Sequence, residues 1–355
     1  MSKSIICIHV GYTPDFNDGI NINNYGSEKQ LLCTCSLLTS EYRIIIFGTN
    51  IFNEGVFNNM EFYSANKMQE FIDKNEIDVL ILYRYLYPVL EIQLKARKVI
   101  LWLTDTTPLY SYEAMDIKNM GRNLLRNLID KFDHIVTLTN WHKNNIIELY
   151  DIPENKLEVI GSAIDTNNYN KDIVKQKNRF IWTSNGSRGI WRLFEYFEDI
   201  RQFMPDAELY VYRDESAFAT EDLQWMQDKE YIHYGGKISN DEVFKEFQKS
   251  QYWFYPTDFD ETYCMSAVES QLAKCLCITS YKGALIETVD DRGILIKESI
   301  YSENYEKIAL DNLKLLSNNK KLRDSLIKKA HTWAKEQTWE KRVEEWRKLL
   351  KKQNT

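Results

Sequence analysis

The sequence predicts an α/β protein made of two Rossmann-like, doubly wound domains, and three observations predict it. The chain is 355 residues long, more than one hydrophobic core ordinarily serves, so two domains of roughly 150 to 180 residues are expected. Short runs of about four to eight residues, apolar on both faces, alternate with helical periodicity in each half, the pattern of βαβ units around a mostly parallel sheet. Between the halves, residues 166–178 (TNNYNKDIVKQKN) are polar and follow neither period, so they read as a linker and hinge. The expected organisation is an N-terminal domain over 1–165, the hinge over 166–178, a second domain over 179–335, and a final helix and tail over 336–355.

The elements follow in order. Strands are expected at Ser4–Val10, 43–48, 78–83, 98–103, 134–139 and 157–160 in the first half, with helical patterns between most of them. In the second half they are expected at 180–184, 208–213, 231–234, Tyr252–Tyr255, 275–279 and 293–296. The helix after the first of these is marked by Ile190, Leu193, Phe194, Phe197 and Ile200 at helical spacing, and it stops before Pro205. Beyond Glu303 the chain reads as helical. Its last helix, near 338–350, carries Trp339, Val343, Trp346 and Leu350 on one stripe, which must be buried against something. Ligands of open α/β sheets bind beyond the carboxyl ends of the strands, so two such domains face to face are expected to frame a binding cleft.

Composition excludes several function classes. A 44% hydrophobic and 13% aromatic content argues against disorder. The net charge of -7 lacks the basic footprint of a nucleic-acid binder. The apolar stretch Ile5 to Val10 is too short for a secretion signal, and no run approaches the roughly 18 apolar residues of a membrane span. A cytoplasmic location is therefore expected, with peripheral membrane contact left open. The six cysteines form no C-x2-C pair and the five histidines no H-E-x-x-H, so buried thiols, no metal and no cofactor are expected.

The stretch 252–279 (YWFYPTDFDETYCMSAVESQLAKCLCIT) reads strand, loop, helix, strand, and it carries two carboxylates, Glu261 and Glu269. Their spacing alone says little, since Glu336 and Glu344 repeat it on the last helix. Their context says more. The amides of Thr262, Tyr263, Cys264 and Met265 would form the positive start of the helix, suited to a diphosphate or to sugar hydroxyls. Glu269, expected two turns into the helix, can accept two ribose hydroxyls.

This stretch resembles the glycosyltransferases of family 4, whose hallmark is Glu-x7-Glu after a strand ending in a Pro-Ser or Pro-Thr turn; here these are Pro256-Thr257, Glu261 and Glu269. The resemblance extends to Trp141-His142-Lys143, Val159-Ile160-Gly161, Ile164-Asp165, SNGSRG at 184–189, PDAELYVY at 205–212, GALIETV at 283–289 and DRGILI at 291–296. It implies the two-domain GT-B fold, with a C-terminal helix crossing back to the N-terminal domain. It also implies retaining, metal-independent transfer from a nucleotide-sugar, a UDP- or GDP-sugar, to a carbohydrate or glycoconjugate hydroxyl, with the leaving phosphate oxygen taking the proton.

By the same resemblance, Glu261 touches the donor sugar, Glu269 the ribose, and Arg188 the diphosphate. Gly26, in Asn24-Tyr25-Gly26-Ser27-Glu28, belongs to the loop where backbone amides approach the ligand. The loop Gly235-Gly236-Lys237 lies against the base. Three departures stand out. Ser184 and Asn185 occupy the region where many relatives carry an additional Arg, so phosphate binding leans on Arg188, helped by Lys237. Thr104-Asp105 replaces a frequent His-Asp, which passes any role there to Asp105. Cys264 stands at the usual glycine.

Two alternatives stay open. An inverting GT-B transferase or nucleotide-sugar epimerase would need a positioned base such as Asp105 or Asp15, and a non-catalytic nucleotide-sugar or glycan-binding module would keep the fold without turnover. A nicotinamide dehydrogenase is disfavoured, because no G-x-G-x-x-G follows the first strand. The sequon Asn185-Gly186-Ser187 reads as a tight turn.

Overall fold

The computed structural model describes residues 3–11, 26–49, 51, 53–108 and 123–352. The chain forms two compact units, one of Met1–Ala163 with Trp339–Thr355 and the other of Ile164–Thr338.

The first unit holds an eight-stranded sheet: β1 Ser4–Val10, β2 Tyr42–Gly48, β3 Gly55–Phe57, β4 Met60–Ser64, β5 Val79–Tyr83, β6 Lys98–Trp102, β7 His134–Thr137 and β8 Leu157–Val159. Their order is β3-β4-β2-β1-β5-β6-β7-β8, and every pairing is parallel except β3 with β4. The central strands are runs of Ile, Leu and Val buried on both faces, as covered parallel strands must be. Ile8 lies between Ile46 and Ile81. The sequence reading lacks β3 and β4. They form a hairpin whose two central residues, Asn58 and Asn59, have φ of 50° and 63°, as a two-residue type I′ turn requires. Helices α1 Gly26–Leu38, α2 Met68–Lys74 and α3 Asn140–Tyr150 connect strands. Thr139 caps α3 by accepting from the His142 amide at 3.1 Å.

The second unit holds six parallel strands, β9 Arg179–Trp182, β10 Glu208–Val211, β11 Ile232–Tyr234, β12 Tyr252–Tyr255, β13 Leu276–Ser280 and β14 Ile294–Ile296, in the order β11-β10-β9-β12-β13-β14. Read along the chain this is 3-2-1-4-5-6, the doubly wound order that reverses between its first and fourth strands. The helices are α4 Ile190–Phe203, α5 Thr220–Asp228, α6 Asn240–Lys249, α7 Met265–Leu272, α8 Leu285–Thr288, α9 Glu303–Asn318 and α10 Lys320–Ala334. The expected apolar face of α4 is buried, with Tyr196 added to it. Ser239 and Glu242 close a capping box on α6.

Residues 166–178, expected as a linker, pack within the second unit. Gln176 N donates to Lys249 O at 2.7 Å and Gln248 Nε2 to Asn170 O at 2.8 Å, while Lys175 Nζ reaches Phe247 O at 3.2 Å. The polar composition that suggests a free segment satisfies instead the last carbonyls of α6. The chain passes between units at Ala163–Ile164 and Thr338–Trp339.

The last helix, α11 Trp339–Lys351, belongs to the first unit. Trp339, Val343, Trp346 and Leu349 are buried on it, and Leu350, expected on that stripe, is partly buried. Trp346 lies 4.4 Å from the Trp102 ring. Lys98 Nζ donates to the carbonyls of Leu349 at 2.9 Å and Leu350 at 3.1 Å, placing a cation where the helix dipole is negative. Among the described residues no helix is long and apolar enough to cross a membrane.

Candidate active site

In the second sheet the order reverses between β9 and β12, and a crevice opens beyond the carboxyl ends of strands at such a point. The loops after these two strands carry Arg188 and Glu261. After β9, Trp182 Nε1 donates to Ser184 O at 2.8 Å, and Asn185 Oδ1 accepts from the Ser187 amide at 3.2 Å and its hydroxyl at 3.1 Å. The sequon is thus a tight turn, a 3-10 helix over Gly186–Arg188. Gly189 then takes φ of 109°, and a Cβ there would lie 2.0 Å from Pro256 O. Only glycine lets the two loops approach so closely, and that approach delivers Arg188 to the loop after β12.

That second loop is held along its length. Thr257 N donates to Ser280 Oγ at 3.0 Å, Phe259 N to Thr257 Oγ1 at 3.1 Å, Tyr301 Oη to Asp258 Oδ2 at 2.6 Å, and Ala284 N to Glu261 O at 2.7 Å. Lys282 pairs with Asp260 at 3.0 Å. Glu261, only 6% exposed, receives Arg188 Nη1 on its Oε1 at 2.8 Å and Tyr255 Oη on the same oxygen at 2.8 Å. The Arg188 side chain keeps 34% of its surface exposed and stacks on Phe259, 4.2 Å from the ring centroid. Burial works against its charge, but the Glu261 carboxylate together with Tyr255 and Cys264 outweighs it and holds the guanidinium pKa above its ordinary value. Burial, reinforced by Glu261, raises the Tyr255 phenol well above its usual range, so it stays protonated and donates.

Beyond Glu261, Tyr263 and Cys264 are buried and Met265, half-buried, opens α7. Glu269 is half-buried one turn into this helix, not the expected two, because α7 begins at Met265. Cys264 takes the left-handed backbone that glycine favours, with φ of 64° and ψ of 77°, so the substitution keeps the backbone path at some cost in strain. Burial pushes its thiol pKa up. On the same sheet, the loop after β11 runs through Gly235, over the Tyr212 ring, to Gly236 at φ of 67° with open space where a Cβ would be, and to the exposed Lys237.

Gly26 and Asp105 belong to the first unit. Gly26 begins α1, which follows β1, and Asp105 follows β6. Asp105 Oδ2 accepts from Arg84 Nε at 2.6 Å, and Arg84 Nη1 lies 3.7 Å from Glu28 Oε1. His142 Nε2 is 3.0 Å from Asp105 O, while its Nδ1 accepts from Leu138 N at 3.3 Å. Arg84, absent from the sequence reading, follows β5 with φ of 76°. A charged residue directly after an all-apolar strand is the signal that marks it. Asp15, Asn24 and Tyr25 lie outside the described residues. Among the described residues no three His, Cys, Asp or Glu gather to hold a metal, and all six cysteines are free and buried.

Residues 33–168 match the model of Glycosyltransferase Family 4. No curated protein matches the sequence. Among solved structures, a glycosyltransferase of Rickettsia africae is 14% identical, with 99% of this chain and 98% of that one covered at a TM-score of 0.73. The HepE protein of Anabaena in complex with UDP is 12% identical, with 98% and 99% covered at 0.76. Sucrose-phosphate synthase of Thermosynechococcus elongatus is 10% identical, with 98% of each covered at 0.75. The chain therefore has the fold of the GT-B glycosyltransferases, and over 33–168 its sequence is similar to Glycosyltransferase Family 4.

Proposed function

We propose that this protein is a glycosyltransferase that moves a sugar from a nucleoside-diphosphate donor, a UDP-sugar first among candidates, onto a hydroxyl of a carbohydrate acceptor, with retention of configuration and without a metal ion. One observation carries the reading: a partly exposed guanidinium and a buried carboxylate, Arg188 and Glu261, meet at the reversal point of a doubly wound sheet, just ahead of the start of α7. The HepE structure with UDP supports the choice of nucleoside.

In this reading the diphosphate lies against Arg188 and the first amides of α7, Glu261 accepts from hydroxyls of the donor sugar, Glu269 accepts from the ribose, and the base rests on 235–237. As the bond from the anomeric carbon to the phosphate oxygen breaks, charge grows on that phosphate. A cation already fixed in place stabilises it without reorganisation. The acceptor oxygen bonds to the same face of the anomeric carbon, and its proton passes to the leaving phosphate oxygen. Arg188 and the helix amides supply the charge neutralisation that a metal provides elsewhere.

The test is a thermal-shift and donor-consumption panel of UDP-, GDP- and ADP-sugars, with a chelator present, on wild type and Glu269→Ala. One nucleotide class is expected to stabilise the wild type and to be consumed, with the variant losing both. No shift and no consumption for any donor overturns the reading, and binding without consumption favours a glycan- or nucleotide-binding module. NMR of the product anomer decides between retention and inversion.

A further inference from the structure

We propose that Tyr255 is a positioning residue for Glu261, fixing one carboxylate oxygen so that the other faces the donor sugar while Arg188 serves the diphosphate. The inference rests on the transferase reading. Both donors, Arg188 Nη1 and Tyr255 Oη, converge on Glu261 Oε1, and among the described residues Oε2 has no hydrogen bond. The two donors differ in what a bound diphosphate does to them. Arg188 is a partly exposed cation and a dianionic diphosphate competes for it, so its hold on Glu261 weakens when the donor arrives. Tyr255 is neutral and buried, with nothing to gain from the phosphate.

Its ring cannot follow the ligand either. It is packed 5.1 Å from Trp182 and 5.0 Å from Trp253, and Thr279 Oγ1 donates to its carbonyl at 2.6 Å. A hydrogen bond from a hydroxyl to a carboxylate is among the stronger and more directional kinds, so the phenol alone keeps the Glu261 rotamer. The last residue of an apolar strand thereby sets the orientation of a carboxylate six positions on.

Tyr255→Phe removes the hydroxyl and leaves the ring. The variant is expected to lose a few degrees of melting temperature at most and to keep wild-type affinity for UDP, which has no sugar for Glu261 to touch. Its kcat for UDP-glucose consumption, or for whichever donor the panel identifies, is expected to fall about 10- to 100-fold. Its affinity for that nucleotide-sugar relative to UDP is expected to fall about 3- to 10-fold, and in a Glu261→Ala background by less than about twofold, because the partner through which it acts is gone. Equal losses in both backgrounds, or a parallel fall in UDP affinity, make Tyr255 a packing residue only and overturn the inference. A variant as active as wild type overturns it too and leaves the transferase reading intact. A wild type that consumes no nucleotide-sugar overturns both.

Discussion

Arg188 is paired with Glu261 and still partly open to solvent, so it is placed to meet a ligand as well as to hold the carboxylate. Arg188→Gln is expected to lower kcat by about 100- to 1000-fold, the usual loss when one preorganised transition-state donor is deleted. It should also destabilise the fold, because the buried Glu261 carboxylate loses its cationic partner and keeps only Tyr255. Wild-type kcat, measured at a temperature where the variant is folded, would sink the catalytic assignment. His142 bears on stability. Burial lowers its pKa from 6.5 to about 4 against the opposing pull of the Asp105 carbonyl. The hydrogen bonds agree, because a proton on Nδ1 would break the bond from Leu138 N. Between pH 6.5 and 4 the unfolded chain therefore takes up a proton that the folded chain refuses, and stability is lost as pH falls through that window, by about 3 kcal/mol when complete. Denaturant unfolding at pH 7.5 and 5 should show this loss, and His142→Gln should reduce it. Arg188, Glu261 and Glu269 stand out in the sequence as candidates because each sits in a recognisable local pattern. Tyr255 and Arg84 do not. Tyr255 is one aromatic among four in YWFY, and its partner is defined only once the loop folds back over the strand.

At the scale of elements, the long apolar strands and the α4 periodicity could be read because burial on both faces and a 3.6-residue repeat leave a trace in sequence. The β3–β4 hairpin leaves little. β3 has three residues, too few for an alternation, and Phe57 and Val56 are exposed. Its one clear signal is Asn58-Asn59, since asparagine tolerates the left-handed backbone better than most residues. Replacing Asn59 with Val should therefore cost about 1 to 2 kcal/mol, seen as a lower denaturation midpoint with an unchanged m-value, whereas Asn59→Gly should be neutral or stabilising. A neutral Asn59→Val would mean that the turn does not keep this geometry. The segment 166–178 shows the reverse ambiguity. Polar residues without a period look the same in sequence whether they meet water or, as Gln248 and Asn170 show, each other.

At the scale of the molecule, both units use one device. In each sheet the order reverses beside the first strand, between β1 and β5 and between β9 and β12. Residues far apart in sequence gather there because the two connecting loops leave in opposite directions, which is why Arg188 and Glu261 meet, and Arg84 stands with Glu28. The first unit is assembled from both ends of the chain, and its core cluster includes Val343, Trp346 and Leu349 beside Ile6, Leu31 and Trp102. A chain ending at residue 338 lacks those three side chains and uncovers the apolar face of β1, α1 and β6. The second unit, 164–338, loses none of its own elements. Truncation is therefore expected to abolish hydrogen-exchange protection over β1, β2 and β5 while β9, β12 and β13 stay protected. The milder Trp346→Ala should destabilise the first unit by about 3 to 5 kcal/mol. Uniform loss of protection across both sheets would show that the two units fold as one cooperative block. Retained protection in β1 would show that α11 covers the core without being needed to form it.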